Sequence, residues 1–438
     1  MIYIFSKNAG LYKAILLLLF ASGGLIGAED PMNVFKGINL GFASLDIGGG
    51  LRLRGQLQNN FNAKKYAEGR DGFGEERLRI ECNLKFIETM HLFIQLQDAH
   101  VWDLQYSTKD FYPPYSPYTN PLDVRQAFFE YQNIANTPIG IKFGRQTFLY
   151  GDNRILGPGE WCNAGRYFWD AAKLLYSSNY LKTDLFVAKQ VISNPYGFDN
   201  EAADLTVYGL YSALKVFNPN TDFFYVLKEN DNNRFTCSTI GTRFDGNFSM
   251  FFYSGTFAYQ FGDTGMKKIR AYGYNAKLGY LAPKLLMSEI GAEYSYASGD
   301  GNPADGTHKT FDGVLGAIDL FYGRMALFAW MNLKDYQINF DIKPTRKISA
   351  TLQYHWFDLA ENKDAWYYGN GKPQRKDITG TSGSSLGNGF VSAVKYDFNK
   401  HCNMYAGFYY FIPDEFIKNT PGYQDESSLT FCLTEYKF

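Results

Sequence analysis

From residue 51 onward apolar and polar positions alternate with a period of two, the pattern of strands with one greasy and one wet face. Leu51, Leu53, Gly55 and Leu57 interleave with Arg52, Arg54, Gln56, Gln58 and Asn60. The next segment sets Leu78, Ile80, Cys82, Leu84 and Phe86 against Arg77, Arg79, Glu81, Asn83 and Lys85. Later, Ile290, Ala292, Tyr294 and Tyr296 oppose Glu289, Glu293 and Ser295, and Tyr336, Ile338, Phe340 and Ile342 oppose Asp335, Gln337, Asn339 and Asp341. Ile348, Ala350, Leu352, Tyr354 and Trp356 likewise oppose Ser349, Thr351, Gln353 and His355. About 18 such segments occur, each near the ~9–11 residues of a tilted membrane-spanning strand.

The connections alternate in length. Short turns are predicted at Glu88-Thr89, Asn136-Thr137-Pro138, Ser178-Asn179, Asn218-Pro219-Asn220, Asp245-Gly246-Asn247, Ala282-Pro283-Lys284, Lys343-Pro344-Thr345 and Asn399-Lys400. Between them fall polar or glycine-rich loops at 62–74, 104–122, 148–166, 191–203, 298–332, 359–386 and 412–426, with shorter ones near 228–234 and 262–267. Short turns on one side and long loops on the other are the arrangement of an outer-membrane barrel. A soluble sandwich has no reason to segregate loop length by parity. The expected fold is therefore all-β, a transmembrane antiparallel barrel over residues 48–438 with short periplasmic turns and long extracellular loops.

The ends agree. Lys7 and Lys13 precede an uncharged run from Ala14 to Ala28, the layout of a secretory signal. Residues 1–28 are read as that signal and 29–47 as a periplasmic segment. The last strand places Cys432, Thr434, Tyr436 and Phe438 on one face. A terminal aromatic there marks outer-membrane barrels and is the expected handle for the barrel assembly machinery. Gly313 to Met331 is the closest approach to a membrane helix, but Asp319 and Arg324 interrupt it. The expected location is the outer membrane of a Gram-negative bacterium, with its lipid as the first partner.

Aromatic residues make up 18% of the chain, with 34 Tyr and 38 Phe, which suits a barrel that needs girdles at both interfaces. A mean hydropathy of −0.29 is no obstacle, since only alternate residues face lipid. The net charge of −1 gives no polyanion-binding surface, so nucleic acid is not an expected partner. The five cysteines form neither a disulfide framework nor a zinc pattern, and Cys82 and Cys432 fall on apolar faces as small hydrophobes.

The run Gly144 to Asp170 (GRQTFLYGDNRILGPGEWCNAGRYFWD) resembles the signature of the alginate-export porin family. It holds Gly144-Arg145-Gln146, then Tyr150-Gly151-Asp152-Asn153-Arg154, then Trp161, Asn163 and Arg166-Tyr167-Phe168-Trp169-Asp170, where Trp169 is an extra residue. Ser298-Gly299-Asp300, Phe311-Asp312, Phe321-Tyr322-Gly323, Asn332-Leu333, Pro344 and Tyr354 to Ala360 follow in the family's order, with a polar position replaced around Ala326. The resemblance implies a monomeric 18-stranded barrel that passes alginate or other small or anionic solutes through an arginine-lined constriction.

A barrel this wide leaves an aqueous channel, and charged rings and inward loops set its selectivity. Strand phase gives one basic inner wall (Arg52, Arg54, Arg77, Arg79 and Lys85), to which the loop after Gln146 adds Arg154 and Arg166; the same loop carries the acid Asp152. Arginine grips a carboxylate with two parallel hydrogen bonds, which suits uronates. The plainer reading is that these arginines pair with lumen acids such as Glu81 and Asp152 and stiffen the wall. Arg145 shares parity with outward Ile139, Ile141 and Phe143, so a bulge re-aims it or it lies above the lipid band. Glu289, Glu293, Asp335 and Asp341 make an acidic wall opposite, and a transverse field between the walls implies mild rather than strong anion selectivity.

Other signals carry less. Tyr112, Tyr115 and Tyr118 sit among prolines, as an aromatic slide or an ordered loop. Asp300, Asn302 and Asp305 offer oxygen ligands but miss the EF-hand spacing, and the histidines show no metal spacing, so no cofactor or metal is expected. No G-x-S-x-G elbow occurs, and Asp358 falls on the opposite strand face from His355. The sequence thus points to a passive channel for small hydrophilic or anionic solutes such as uronate or alginate-like saccharides. Its competitors are a barrel plugged by loops 298–332 and 359–386 that displays an adhesive surface, and an outer-membrane hydrolase.

Overall fold

The alternation becomes eighteen strands in the described residues of the computed structural model, which are 35–60, 69–105 and 117–438 apart from positions 217, 231, 233, 284, 314 and 370. The expected signal, 1–28, lies outside them, as do Tyr112 and Tyr115. In chain order the strands are β1 (Ser44–Asn59), β2 (Arg70–Ile87), β3 (Met90–Trp102), β4 (Asn120–Tyr131), β5 (Ile139–Gln146), β6 (Phe168–Ser177), β7 (Leu181–Ile192), β8 (Asn200–Leu214) and β9 (Asn220–Asn230). They continue as β10 (Phe235–Phe248), β11 (Phe251–Thr264), β12 (Lys267–Ala282), β13 (Ser288–Ala297), β14 (Leu333–Thr345), β15 (Ile348–Leu359), β16 (Ser385–Asp397), β17 (Cys402–Pro413) and β18 (Ser427–Lys437). Each pairs antiparallel with its neighbours in sequence, and β18 closes on β1 from Gly50↔Lys437 to Asn59↔Ser428. Closure leaves no unpaired edge, which is what hydrocarbon demands of a sheet.

Two expected turns move. Asp245-Gly246-Asn247 stays in β10, paired with β11, and the reversal falls at Ser249-Met250. Lys343-Pro344-Thr345 stays in β14, with the reversal at 346–347. The alternation of lengths survives. The connections at the long-loop end include L3 (147–167), L7 (298–332), L8 (360–384) and L9 (414–426). The outward residues of the alternation are exposed: Leu57, Ile80, Ile290, Ile338, Leu352 and Trp356 face where lipid would be.

The chain end is fitted into the seam. Phe438 and Gly49 exchange two backbone hydrogen bonds, at 3.0 and 3.1 Å. A Cβ on Gly49 would lie 2.2 Å from the Arg79 carbonyl oxygen and 2.7 Å from the Phe438 ring, so only glycine fits.

The interior differs from an open, water-filled cylinder. L3 and L7 fold inward and run side by side. Gly157 N donates to Leu315 O at 3.1 Å, Leu315 N to Ile155 O at 3.1 Å, and Ala317 N to Asn153 O at 2.8 Å. Around this seam sits an apolar core inside the barrel, including Phe148, Leu156, Trp169, Phe311, Phe328, Trp330 and Phe357. Phe328 stacks on Phe357 at 3.9 Å, and Phe311 meets Trp330 edge-on at 4.9 Å. L7 is pinned to the wall at Asp312. Its N–H donates to Gln260 Oε1 and its carbonyl accepts from Gln260 Nε2, both at 2.8 Å, while its carboxylate pairs with Lys228. Asn332 ties L7 to L8 through the carbonyls of Glu361 and Ala365, each at 3.0 Å. Asp300, Asn302 and Asp305 cap backbone N–H groups of their own loop, and Asp305 pairs with Lys309. No metal-binding group is found among the described residues.

Candidate functional site: a strapped constriction

β1 and β2 run side by side with Arg52 opposite Arg77 and Arg54 opposite Glu75. The alternation turns Arg52, Arg54 and Arg77 inward, where each is buried. A fifth basic residue joins Arg79 and these three. A bulge lets Gln95-Leu96 of β3 face Gln126 and Val124 of β4 and leaves Arg125 unpaired between them, 1% exposed. Simple alternation does not place Arg125, because a bulge breaks the phase.

L3 enters this cluster with Glu160. Its carboxylate lies 2.8 Å from Arg79 Nη2, 3.1 Å from Arg77 Nη1 and 3.1 Å from Arg125 Nη2. Its backbone carbonyl accepts from Arg52 at 2.9 Å and from Arg77 at 3.2 Å. Burial alone would raise the Glu160 carboxyl, but Arg79, Arg125 and Arg77 reverse this and hold it well below the usual carboxylate range. Arg54 pairs with Glu75, donates to the Trp161 carbonyl at 2.8 Å and lies 4.1 Å above the Trp161 ring. Arg324 of L7, paired with Asp319, approaches the same ring at 4.7 Å. Asn163 completes the stitching through Nδ2, which reaches the carbonyls of Glu76, His100 and Tyr118 at 2.8–2.9 Å.

Six residues upstream, L3 reaches the other wall. Arg154 pairs with Glu293 of β13 at 2.5 Å, donates to Tyr322 Oη at 3.0 Å and Ser295 Oγ at 3.3 Å, and stacks on Phe321 at 3.8 Å. Burial would lower this guanidinium, but Glu293, Tyr322 and Asp152 hold it above its ordinary value, so it stays charged. Asp152 itself lies 3.5 Å from Arg154 and 3.8 Å from Arg243.

The basic and acidic walls therefore exist, but their field does not cross open water. L3 carries Glu160 to the basic side and Arg154 to the acidic side. Partners expected from strand phase also change: Glu81 accepts from Gln95 at 2.6 Å, and the arginines take Glu75 and Glu160 instead. Asp335 pairs with His355 at 3.0 Å, both fully buried, and Asp341 accepts from Thr351. Glu289 and Lys85 lie toward the short-turn end, near Lys343 at 3.9 Å and Asp46 at 2.6 Å respectively. Arg166 leaves the cluster and donates to the Gly369 carbonyl of L8 at 2.7 Å.

Arg145 sits at the margin of the cluster, 3.8 Å from the buried Asp123 carboxylate and 6.0 Å from the Phe168 ring that Arg125 covers at 4.0 Å. Gly144 adopts φ +114°, and a Cβ there would lie 2.3 Å from the Ala127 carbonyl. That local distortion does not bring Arg145 inward. It stays on the face of Ile141 and Phe143 and forks onto Asp170 at 2.9 and 3.0 Å. Asp170 thus lies on β6 opposite Arg145, and the extra Trp169 turns its ring inward onto Phe148 at 5.5 Å.

Below L3 and L7 a cavity of about 460 Å³ remains. Arg52, Arg77, Glu160, Trp161, Asp319 and Arg324 line it on the loop side. Lys395, Asn403 and Glu435, near the short-turn ends of β16, β17 and β18, line it on the other.

A closed eighteen-stranded barrel with a greasy outside and a charged constriction inside is an outer-membrane channel. Comparison with known proteins gives its family. Residues 43–430 match the alginate export family, and the chain belongs to it. It is accordingly a channel of the Gram-negative outer membrane rather than an enzyme. No curated protein matches the sequence. Among solved structures, it is similar to Acinetobacter baumannii OccAB1 (TM-score 0.61, 10% identity, covering 92% of this chain and 99% of that one). It is also similar to Pseudomonas aeruginosa OpdQ (TM-score 0.60, 12% identity, 90% and 97%) and OccK11, or OpdR (TM-score 0.56, 13% identity, 90% and 96%). At these identities the likeness speaks for the fold alone.

Proposed function

We propose that the channel passes small hydrophilic solutes with a mild preference for anions, sugar acids of the uronate class among them. The observation that carries this reading is the lining of the cavity. Arg52, Arg77, Arg324 and Lys395 face Glu160, Asp319 and Glu435, four cations against three carboxylates. So near a balance favours polar solutes generally and anions slightly. A volume of about 460 Å³ lies in the range that holds one small molecule. A solute would pass as a small unit or a thin chain. The inward fold of L7 and L8 is what a plugged, adhesive barrel would need, yet a plug gives no reason for mixed charge along a cavity beneath it.

Single-channel recording in planar bilayers tests this. Stepwise conductance with a reversal potential slightly toward the anion is expected in a salt gradient. Arg77→Ala and Arg79→Ala should each move that potential toward the cation. Folded protein without conductance at any voltage would end the channel reading. An unmoved reversal potential would remove the basic wall from selectivity.

A further inference from the structure

The arginine cluster carries more positive charge than the protein answers. Arg52, Arg54, Arg77, Arg79 and Arg125 converge, and among the described residues the carboxylates bonded to them are Glu75 and Glu160. Arg52 Nε and Arg125 Nε and Nη1 are buried with no hydrogen-bond acceptor, on side chains of residues 6% and 1% exposed. Buried guanidinium N–H groups without acceptors are costly, so the cluster keeps donors in reserve for whichever carboxylate occupies it. The one carboxylate that bridges the cluster comes from a loop rather than from the wall. Glu160 also keeps contact with the cavity, because its side chain is 37% exposed and lines it beside Arg52 and Arg77.

We propose that Glu160 is a built-in carboxylate ligand, occupying the Arg77–Arg79–Arg125 site that the carboxylate of a sugar acid takes in transit, and that the two exchange. This rests on the channel reading above and adds a mechanism to it. An arriving carboxylate first meets Arg52 and Arg77 at the cavity face. It then replaces Glu160 on the three-arginine clamp, so the guanidiniums never lose their counter-charge. Exchange of one carboxylate for another keeps the barrier low, where stripping a bare arginine cluster would be prohibitive. It also sets the specificity: a neutral sugar brings no counter-charge to the clamp, and chloride, a single spherical ion, cannot make the two parallel hydrogen bonds of a fork.

The experiment uses the full folded chain with D-glucuronate as probe, and glucose and chloride as controls. Block of single-channel current should need at least tenfold less glucuronate in Glu160→Gln than in the natural chain, because the internal competitor is gone. Glu160→Asp, which keeps the charge, should stay near the natural value. In parallel, glucuronate should raise the thermal midpoint of Glu160→Gln and leave the natural chain, whose clamp is filled, nearly unmoved. Arg125→Gln in an otherwise natural chain should weaken the block, and it serves where Glu160→Gln does not fold. Equal blocking concentrations and equal thermal shifts with and without Glu160 would overturn the proposal, as would block by glucose. Absence of conductance in the natural chain would instead strike the channel reading, while the thermal shift still reports the site.

Discussion

Arg154→Met isolates the end of the strap that lies on the acidic wall. The substitution keeps an apolar stem against Phe321 and removes the charge. Arg154 is 2% exposed and the Glu293 side chain 9%, so solvent screens the pair little. Removing one partner of a buried pair costs about 3–5 kcal/mol, because the other charge is left uncompensated. Even the lower figure of about 3 kcal/mol is roughly a hundredfold in a local equilibrium. The cost should fall on the seam between L3 and L7, since Tyr322 and Phe321 belong to L7 and Arg154 to L3. Amide hydrogen exchange of Gly157, Leu315 and Ala317, whose N–H groups form the seam, reads that opening directly. About a hundredfold faster exchange is expected in Arg154→Met. Glu293→Gln added to it should restore at least half of the loss, because the stranded carboxylate is what hurts. Unchanged exchange at Gly157, or a double variant whose cost is the sum of the two singles, would refute the bridge as the lock.

Two further outcomes follow from the same geometry. Gly49→Ala should block seam closure, because the new Cβ meets the Arg79 backbone carbonyl and no rotamer can relieve that; the folded, heat-modifiable band should be lost on unheated gels, whereas Gly55→Ala, with open space at its Cβ, should keep it. The strap should also be insensitive to mild acid: the Glu160 carboxyl is depressed in the folded chain, so its contribution is complete above the unfolded value of about 4.3 and is lost only as pH falls from there through the folded value. Protease resistance of L3 should therefore stay level from pH 8 to 5, and loosening within that window would contradict the clamp.

The wall was legible in the sequence and its contents were not, for a physical reason. Lipid reads one face of every strand, so Tyr336, Ile338, Leu352 and Trp356 had to alternate with residues that tolerate the lumen, and strand phase alone assigns them. The alternation of connection lengths follows from the same membrane. L7 reads as a polar or glycine-rich loop, and only the plugged-barrel alternative takes it into the lumen. Yet Phe321, Tyr322, Phe328 and Trp330 are far too apolar to sit in water together, and that crowding was the available signal. Arg125 was hidden by a bulge, and Glu160 by distance: it lies 83 residues from Arg77, and nothing local joins them until the barrel closes and L3 turns inward.

The two opposed walls make sense only with the strap between them. A row of arginines on β1 and β2 and a row of acids on β13 and β14 would each be expensive to bury without counter-charge. L3 answers both with one chain segment, Arg154 toward Glu293 and Glu160 toward Arg77, Arg79 and Arg125. Loop and wall therefore require each other: without the walls L3 has no charged anchor on either side, and without L3 Arg77, Arg79, Arg125 and Glu293 lose their counter-charge. The charge pattern is thus first of all a device for placing a loop. The loop leaves one charged surface uncovered, where Arg52, Arg77, Arg324 and Lys395 still meet the cavity.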